Sequence, residues 1–150
     1  MSKKRDQHDI LDLVTFGLFL ILAGVLFLIT PNLFEYVYAF LGDLEFREAI
    51  HYVYLPTPQD SHTTLFTALS WFTFYFALVH LFILVARYFF RSPKDKTAGT
   101  VSGLVFWLGA TWILNQYVEA DIVWFTFLGY LIALVGVSII IRNVITLGGR

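Results

Sequence analysis

The sequence predicts an all-α membrane protein: an antiparallel four-helix transmembrane bundle with an extracytoplasmic, interfacial helical segment between spans 1 and 2. Two observations predict this class. Of the 150 residues, 58% are hydrophobic and only 14% are charged, which is more apolar surface than a soluble domain of this length can bury. Charges also nearly vanish from the interiors of four stretches, each about the 17–25 residues that a helix needs to cross a bilayer.

The distribution of charge predicts the orientation in the membrane. With four spans, nine of the ten basic residues fall on the side of both termini, and Arg47 alone falls on the other side. The terminal side holds four acidic residues and the opposite side seven, so the net charges are +5 and −6. Since lysine and arginine concentrate in cytoplasmic loops, we expect a multi-pass protein of the cell membrane with cytoplasmic N- and C-termini. Topology alone explains these basic residues, so no nucleic-acid partner is expected.

The spans form one domain, 1–150, and lie at about 10–30, 64–91, 99–118 and 121–143. Gly17 and Gly24 share a face of the first span, and Gly129, Ala133 and Gly136 follow a helical repeat in the fourth. Small residues let helices approach closely, so both sets are predicted to be packing seams. The connection VEAD between the third and fourth spans is short enough for a tight helical hairpin.

The external segment 31–63 is too long for a connection without structure of its own. Its four tyrosines suit a water–lipid boundary: Tyr36, Tyr38, Tyr52 and Tyr54. The pattern predicts a short helix from Pro31 to Leu41, a break at Gly42–Asp43 and a second helix from Leu44 to Tyr54. The stretch HYVYL is also compatible with a short strand.

His80 lies deep in the second span, inside the apolar run WFTFYFALVHLFILVARYFF. An ionisable residue at this depth is a functional candidate, as a haem ligand, a proton relay or a hydrogen-bond partner of a quinone. The alternative is a neutral ring bonded to a hydroxyl on a neighbouring helix. Tyr75, Tyr130 and Asn115 are the further intramembrane polar candidates.

Two other sets of side chains suggest binding sites. Glu48 and His51 form an E-x-x-H pair, and Asp60 and His62 could complete a metal site with oxygen and nitrogen ligands if the loop folded back; the alternative is an ordinary polar outer loop. Three arginines lie at the cytoplasmic edge of the membrane, where they could bind a lipid head group or simply snorkel to the interface: Arg87, Arg91 and Arg142.

The stretch ITPNLFEYVYAFLGDLEF, together with LPTP and the histidine at the start of the second span, resembles small four-span membrane proteins of archaeal type. The resemblance covers most of the chain and implies the four-span layout. Those proteins carry no assigned activity, so the resemblance implies no functional residues.

The sequence indicates a non-enzymatic membrane protein, either an accessory subunit or a self-associating bundle. No cysteine is present, which excludes disulfides and thiolate chemistry, and no nucleophile, phosphate-binding or dinucleotide motif occurs. No catalytic residue and no cofactor are predicted. A haem- or quinone-linked redox protein using His80 and a small-solute or ion pathway are the alternatives. The expected partners are the lipid bilayer and a second copy of the chain or a larger membrane complex.

Overall fold

The computed structural model describes residues 2–148, and the side chains of these residues except 2–9, 49 and 50. Over this range the chain forms five helices and one two-stranded sheet. In chain order they are α1 (Ser2–Ile29), α2 (Leu33–Gly42), β1 (Leu44–Ile50), β2 (Val53–Pro58), α3 (Thr63–Phe89), α4 (Lys94–Val118) and α5 (Trp124–Leu147).

Four of these helices are long and apolar enough to cross a membrane: residues Ile10–Ile29 of α1, and α3, α4 and α5 in full. Their mean hydropathy runs from 1.4 for α4 to 2.5 for α1. They support the prediction of a multi-pass membrane protein. The fifth helix, α2, is too short to span.

The helices pack unequally. α3 makes its most extensive contact with α4, and α4 then packs against α5. α1 contacts α3 less extensively, and between Ile10 and Ile29 its one buried residue is Leu26. The main apolar cluster joins α3, α4 and α5 near the ends that α2 approaches, through Phe66, Ile113, Leu114 and Phe127. α1 is therefore held mainly through α3, and most of its surface faces away from the other helices.

The predicted glycine seams are wrong for contacts within the chain. A Cβ atom at Gly17, Gly24, Gly129 or Gly136 would meet nothing within 4 Å among the described residues. The close approaches occur instead on α4, where Gly103 lies against the ring of His80. Gly109 makes a similar approach to a leucine side chain of α5. Spacing identified helix faces with room for a neighbour, but it could not show whether the neighbour belongs to the same chain.

The external segment corrects the prediction of an all-α fold. A helix covers Leu33–Gly42, close to the predicted Pro31–Leu41, but the predicted helix Leu44–Tyr54 is wrong. β1 and β2 form an antiparallel hairpin with Leu44 opposite Pro58 and an irregularity between Glu48 and Ile50.

The local sequence explains the hairpin. Leu44 and Phe46 alternate with Glu45 and Arg47, which is the period-two pattern of a strand, and the prolines at 56 and 58 cannot continue a helix. Tyr52 turns the chain with a positive φ of 67°, and its backbone N–H donates to Glu48 Oε1 at 2.9 Å. The helical spacing of the apolar residues Phe46, Ala49, Ile50 and Val53, on which the predicted helix rested, therefore did not decide the structure of this segment.

Candidate functional site

A cavity of about 590 Å³ lies where α1, α3, α4 and α5 approach one another. We call this end of the helices the basic end; it is marked by Arg87, Lys96 and Arg142. The other residues that line the cavity are Asp12, Thr15, Phe16, Phe19, Phe76, His80, Ile83, Asp95, Gly99 and Thr100. The cavity thus combines the charges at the helix ends with aromatic side chains farther along the helices.

Arg87 is the central charge of the cavity. It lies in the last turn of α3, and its side chain is only 4% exposed. Its Nη2 donates to Asp12 Oδ1 at 2.5 Å, and the same carboxylate accepts a hydrogen bond from Lys96 Nζ at the start of α4. Among the described residues, Arg87 Nε and Nη1 have no hydrogen-bond partner. A buried charged group with unused donors is costly, so this arrangement favours an additional acceptor.

The described charges of the cavity do not cancel. Arg142 Nη2 lies 3.6 Å from Asp95 Oδ1, and both of these side chains are more than half exposed. The described lining has three cationic side chains, Arg87, Lys96 and Arg142, and two anionic ones, Asp12 and Asp95. Its net charge is therefore +1 with His80 neutral. Guanidinium and ammonium groups in this number provide strong, charge-assisted donors for a phosphate or carboxylate.

His80 is positioned by its own helix. Its Nδ1 lies 3.0 Å from the carbonyl oxygen of Phe76. Because a carbonyl can only accept, Nδ1 carries the proton, and in the neutral ring Nε2 does not. The ring lies edge-on to Phe76, with centroids 4.7 Å apart, and against Gly103 of α4. The expected hydroxyl partner on a neighbouring helix is replaced by this backbone carbonyl one turn earlier.

The other intramembrane polar candidates lie apart from His80. Asn115 Oδ1 accepts from Ser70 Oγ at 2.6 Å. Tyr75 stacks on Trp71, and Tyr130 packs beside Trp112. None of the three lines the basic-end cavity. The structure therefore does not bring the four candidate residues into one site, and Asn115 serves as a polar contact between α3 and α4.

The predicted metal ligands are also separated. Glu48 and His51 lie on the exposed hairpin with Oε1 and Nδ1 3.8 Å apart, whereas His62 Nε2 lies 2.8 Å from Asp43 Oδ2. In the part of the chain that the structure describes, no group of three or more histidine, aspartate or glutamate side chains could hold a metal ion.

Asp43 instead forms a latch at the opposite end of the molecule. Its Oδ2 accepts from the backbone N–H groups of Gln59 and Asp60 and contacts the His62 ring, each at 2.8 Å. The backbone N–H of Asp60, and next the ring of His62, hold the pKa of the Asp43 carboxyl below its usual range. These bonds connect the chain after α2 with the start of α3. Trp124 adds a second tie, because its Nε1 donates to the Pro56 carbonyl at 2.8 Å.

Of the three arginines predicted from the sequence, Arg87 and Arg142 line the cavity, while Arg91 does not. Arg91 is exposed just beyond α3, with a positive φ of 48°. Sequence reasoning missed Asp12 and Lys96. The available signal was a carboxylate at the start of the first predicted span and a lysine in the connection predicted to lie on the same side as that end of the span.

Comparison with protein-family models, with curated proteins and with solved structures gave no match. The function is therefore inferred from the geometry alone.

Proposed function

We propose that this chain is a non-enzymatic, multi-pass membrane protein that binds an anionic group in the basic-end cavity. The observation that carries this proposal is Arg87, buried and paired on one side with Asp12, with Nε and Nη1 unpartnered among the described residues. Leaving a buried donor without an acceptor costs about 1–3 kcal/mol. An anion that reaches these donors removes that cost and balances the excess charge of the cavity.

The proposal includes an architecture. The four apolar helices form an antiparallel bundle, and the basic end faces the cytoplasm together with both termini, because nine of the ten basic residues lie on that side. The external α2 and the hairpin then lie at the extracytoplasmic interface. The exposed tyrosines Tyr38, Tyr52 and Tyr54 support that position.

The experiment is thermal unfolding of the purified protein in a zwitterionic detergent after removal of bound lipid. Inorganic phosphate is titrated against sodium chloride at matched ionic strength. We expect a saturable rise in Tm with phosphate, since a ligand that binds only the folded state adds about 2.7 kcal/mol at 100 times its Kd.

Two variants test whether the rise in Tm with phosphate arises from the basic-end cavity. Arg142→Gln should weaken the rise in Tm, and we expect this variant to fold normally because the Arg142 side chain is exposed. Arg91→Gln removes an exposed arginine outside the cavity and should respond as the unsubstituted protein does. If phosphate and chloride raise Tm equally in all three proteins, the chain has no anion site.

Self-association, or docking as an accessory subunit, is a second candidate. The specific observation is that Gly17, Gly24, Gly129 and Gly136 face no neighbour in the described part of the chain, although small residues of this kind allow close packing of membrane helices. Light scattering in mild detergent should show an oligomer that Gly24→Leu converts to monomer. A monomer before substitution would count against this candidate.

A further inference from the structure

We propose that the anion in the basic-end cavity is the head group of a monoanionic phospholipid, whose acyl chain lies along the apolar part of the same cavity. This inference rests on the proposed anion binding and adds the class of ligand. Three features of the cavity carry it: its polarity, its walls and its charge.

The polarity of the cavity changes along the helices. Arg87 marks the charged part and Phe76 the apolar part, and both line the cavity from α3. Eleven residues separate them, which at 1.5 Å per residue is about 16 Å, roughly half of the hydrocarbon thickness of a bilayer. Phe19 of α1 faces the same apolar part. A free phosphate would use only the charged part, whereas a lipid would fill both.

The walls of the cavity leave a lateral opening. Among the described residues α1 packs substantially only on α3, and it makes at most weak contact with α4 and α5. Phe16, which lines the cavity from α1, is 62% exposed. An acyl chain can therefore enter from the bilayer beside α1, next to Phe16 and Phe19, without crossing the polar mouth of the cavity.

The charge of the cavity selects the head group. The described lining side chains carry a net charge of +1 with His80 neutral. A phosphodiester with an uncharged polar head, such as phosphatidylglycerol, supplies one negative charge and balances it. A zwitterionic lipid brings a cation of its own, which the guanidinium and ammonium groups repel.

Trp107 supplies a reporter for this position. It lies behind the apolar part of the cavity, with its ring centroid 4.9 Å from that of Phe76 and 6.4 Å from that of His80. Bromine atoms on an acyl chain in the cavity should therefore quench its fluorescence. Trp112, on the same helix, is exposed and packs beside Tyr130 away from the cavity.

The protein is reconstituted in phosphatidylcholine vesicles that contain a small fraction of either phosphatidylglycerol or phosphatidylcholine brominated on the acyl chain. We expect brominated phosphatidylglycerol to quench more strongly, saturably and in competition with unlabelled phosphatidylglycerol. The additional quenching by brominated phosphatidylglycerol should disappear in Trp107→Phe and persist in Trp112→Phe. Arg142→Gln should weaken the competition about fivefold, the effect of one cation near an anionic head group, while Arg91→Gln should leave it unchanged.

Equal quenching by the two brominated lipids would overturn the lipid proposal. In that case phosphate titration distinguishes failure of the lipid proposal from failure of the anion site itself. If phosphate still raises Tm, the anion site stands and its ligand is water-soluble. If phosphate has no effect either, both the site and its ligand are refuted. If the additional quenching by brominated phosphatidylglycerol persists in Trp107→Phe, the proposal is also overturned, since the lipid would then bind elsewhere.

Discussion

Gly103→Ala tests whether the contact between α3 and α4 is as close as the structure has it. A Cβ atom at residue 103 would lie 2.7 Å from both Cδ2 and Nε2 of His80. Carbon atoms in ordinary contact are about 3.5–4.0 Å apart, so the methyl group and the ring would overlap by roughly 1 Å. At Gly99, one turn earlier on α4, a Cβ would meet no described residue within 4 Å, which makes Gly99→Ala the matched control.

Both variants gain stability from the higher helix propensity of alanine, but only one of them loses stability through overpacking. Alanine favours a helix over glycine by about 1 kcal/mol, and both variants gain this. Only Gly103→Ala must displace the His80 ring, which is held by its bond to the Phe76 carbonyl. Overpacking of this kind costs about 1–3 kcal/mol. We therefore expect Gly103→Ala to be about 1–3 kcal/mol less stable than Gly99→Ala.

The assay is reversible unfolding in mixed micelles, followed by circular dichroism as the fraction of sodium dodecyl sulfate increases. Repeating both substitutions in a His80→Ala background isolates the contact, because removal of the ring should bring the two variants together. If they already agree within about 0.5 kcal/mol while His80 is present, the ring does not lie against Gly103, and the derived packing of α3 on α4 is wrong.

Three further predictions concern the rest of the molecule. The folded-state pKa of Asp43 lies below its ordinary 3.8, so the contribution of its ionised carboxyl to the free energy of unfolding is complete above 3.8 and disappears as the pH falls through the folded-state pKa. The decrease in Tm between pH 7 and pH 3 should therefore be smaller in Asp43→Asn than in the unsubstituted protein. Identical profiles of Tm against pH would contradict the latch. Trp124→Phe should remove the hydrogen bond to the hairpin, lower the free energy of unfolding by about 0.5–1.5 kcal/mol and speed amide hydrogen exchange in residues 44–58. Unchanged exchange would show that this hydrogen bond does not stabilise the hairpin. Gly136→Leu should not lower monomer stability, because leucine favours a helix over glycine and a Cβ atom there would meet no described residue within 4 Å. Gly109→Leu should lower it, because the added side chain overlaps a leucine side chain of α5. The opposite order in an unfolding titration would restore the predicted seam.

Prediction from the sequence succeeded where a residue's own chemistry decided its environment. The four apolar stretches predict helices long enough to cross a membrane, and the structure has them. It failed at Leu44–Tyr54, where helical spacing of apolar residues favoured a helix although the alternation at the start of the segment fits a strand. Only pairing decided between them: Leu44 lies opposite Pro58 in the hairpin, and a partner fourteen residues away leaves no mark on helical periodicity.

The candidate site shows the same division. Depth and charge along the chain pointed to His80, Arg87 and Arg142. The association of Arg87 with Asp12, 75 residues earlier, depends on how α1 packs against α3. The predicted metal ligands are likewise separated: His62 contacts Asp43, while Glu48 and His51 lie on the hairpin, and no group of three or more histidine, aspartate or glutamate side chains forms among the described residues.

The order of the residues is enough to predict four helices long and apolar enough to cross a membrane, because apolar length and charge act locally and are additive along the chain. Only the tertiary structure decided which glycines are in contact, that a hairpin follows α2, and that Arg87 is buried beside Asp12 in a cavity. These features depend on the distance between residues far apart in sequence. The cost of a buried, incompletely paired guanidinium, on which the proposed function rests, arises only when the helices have packed around it.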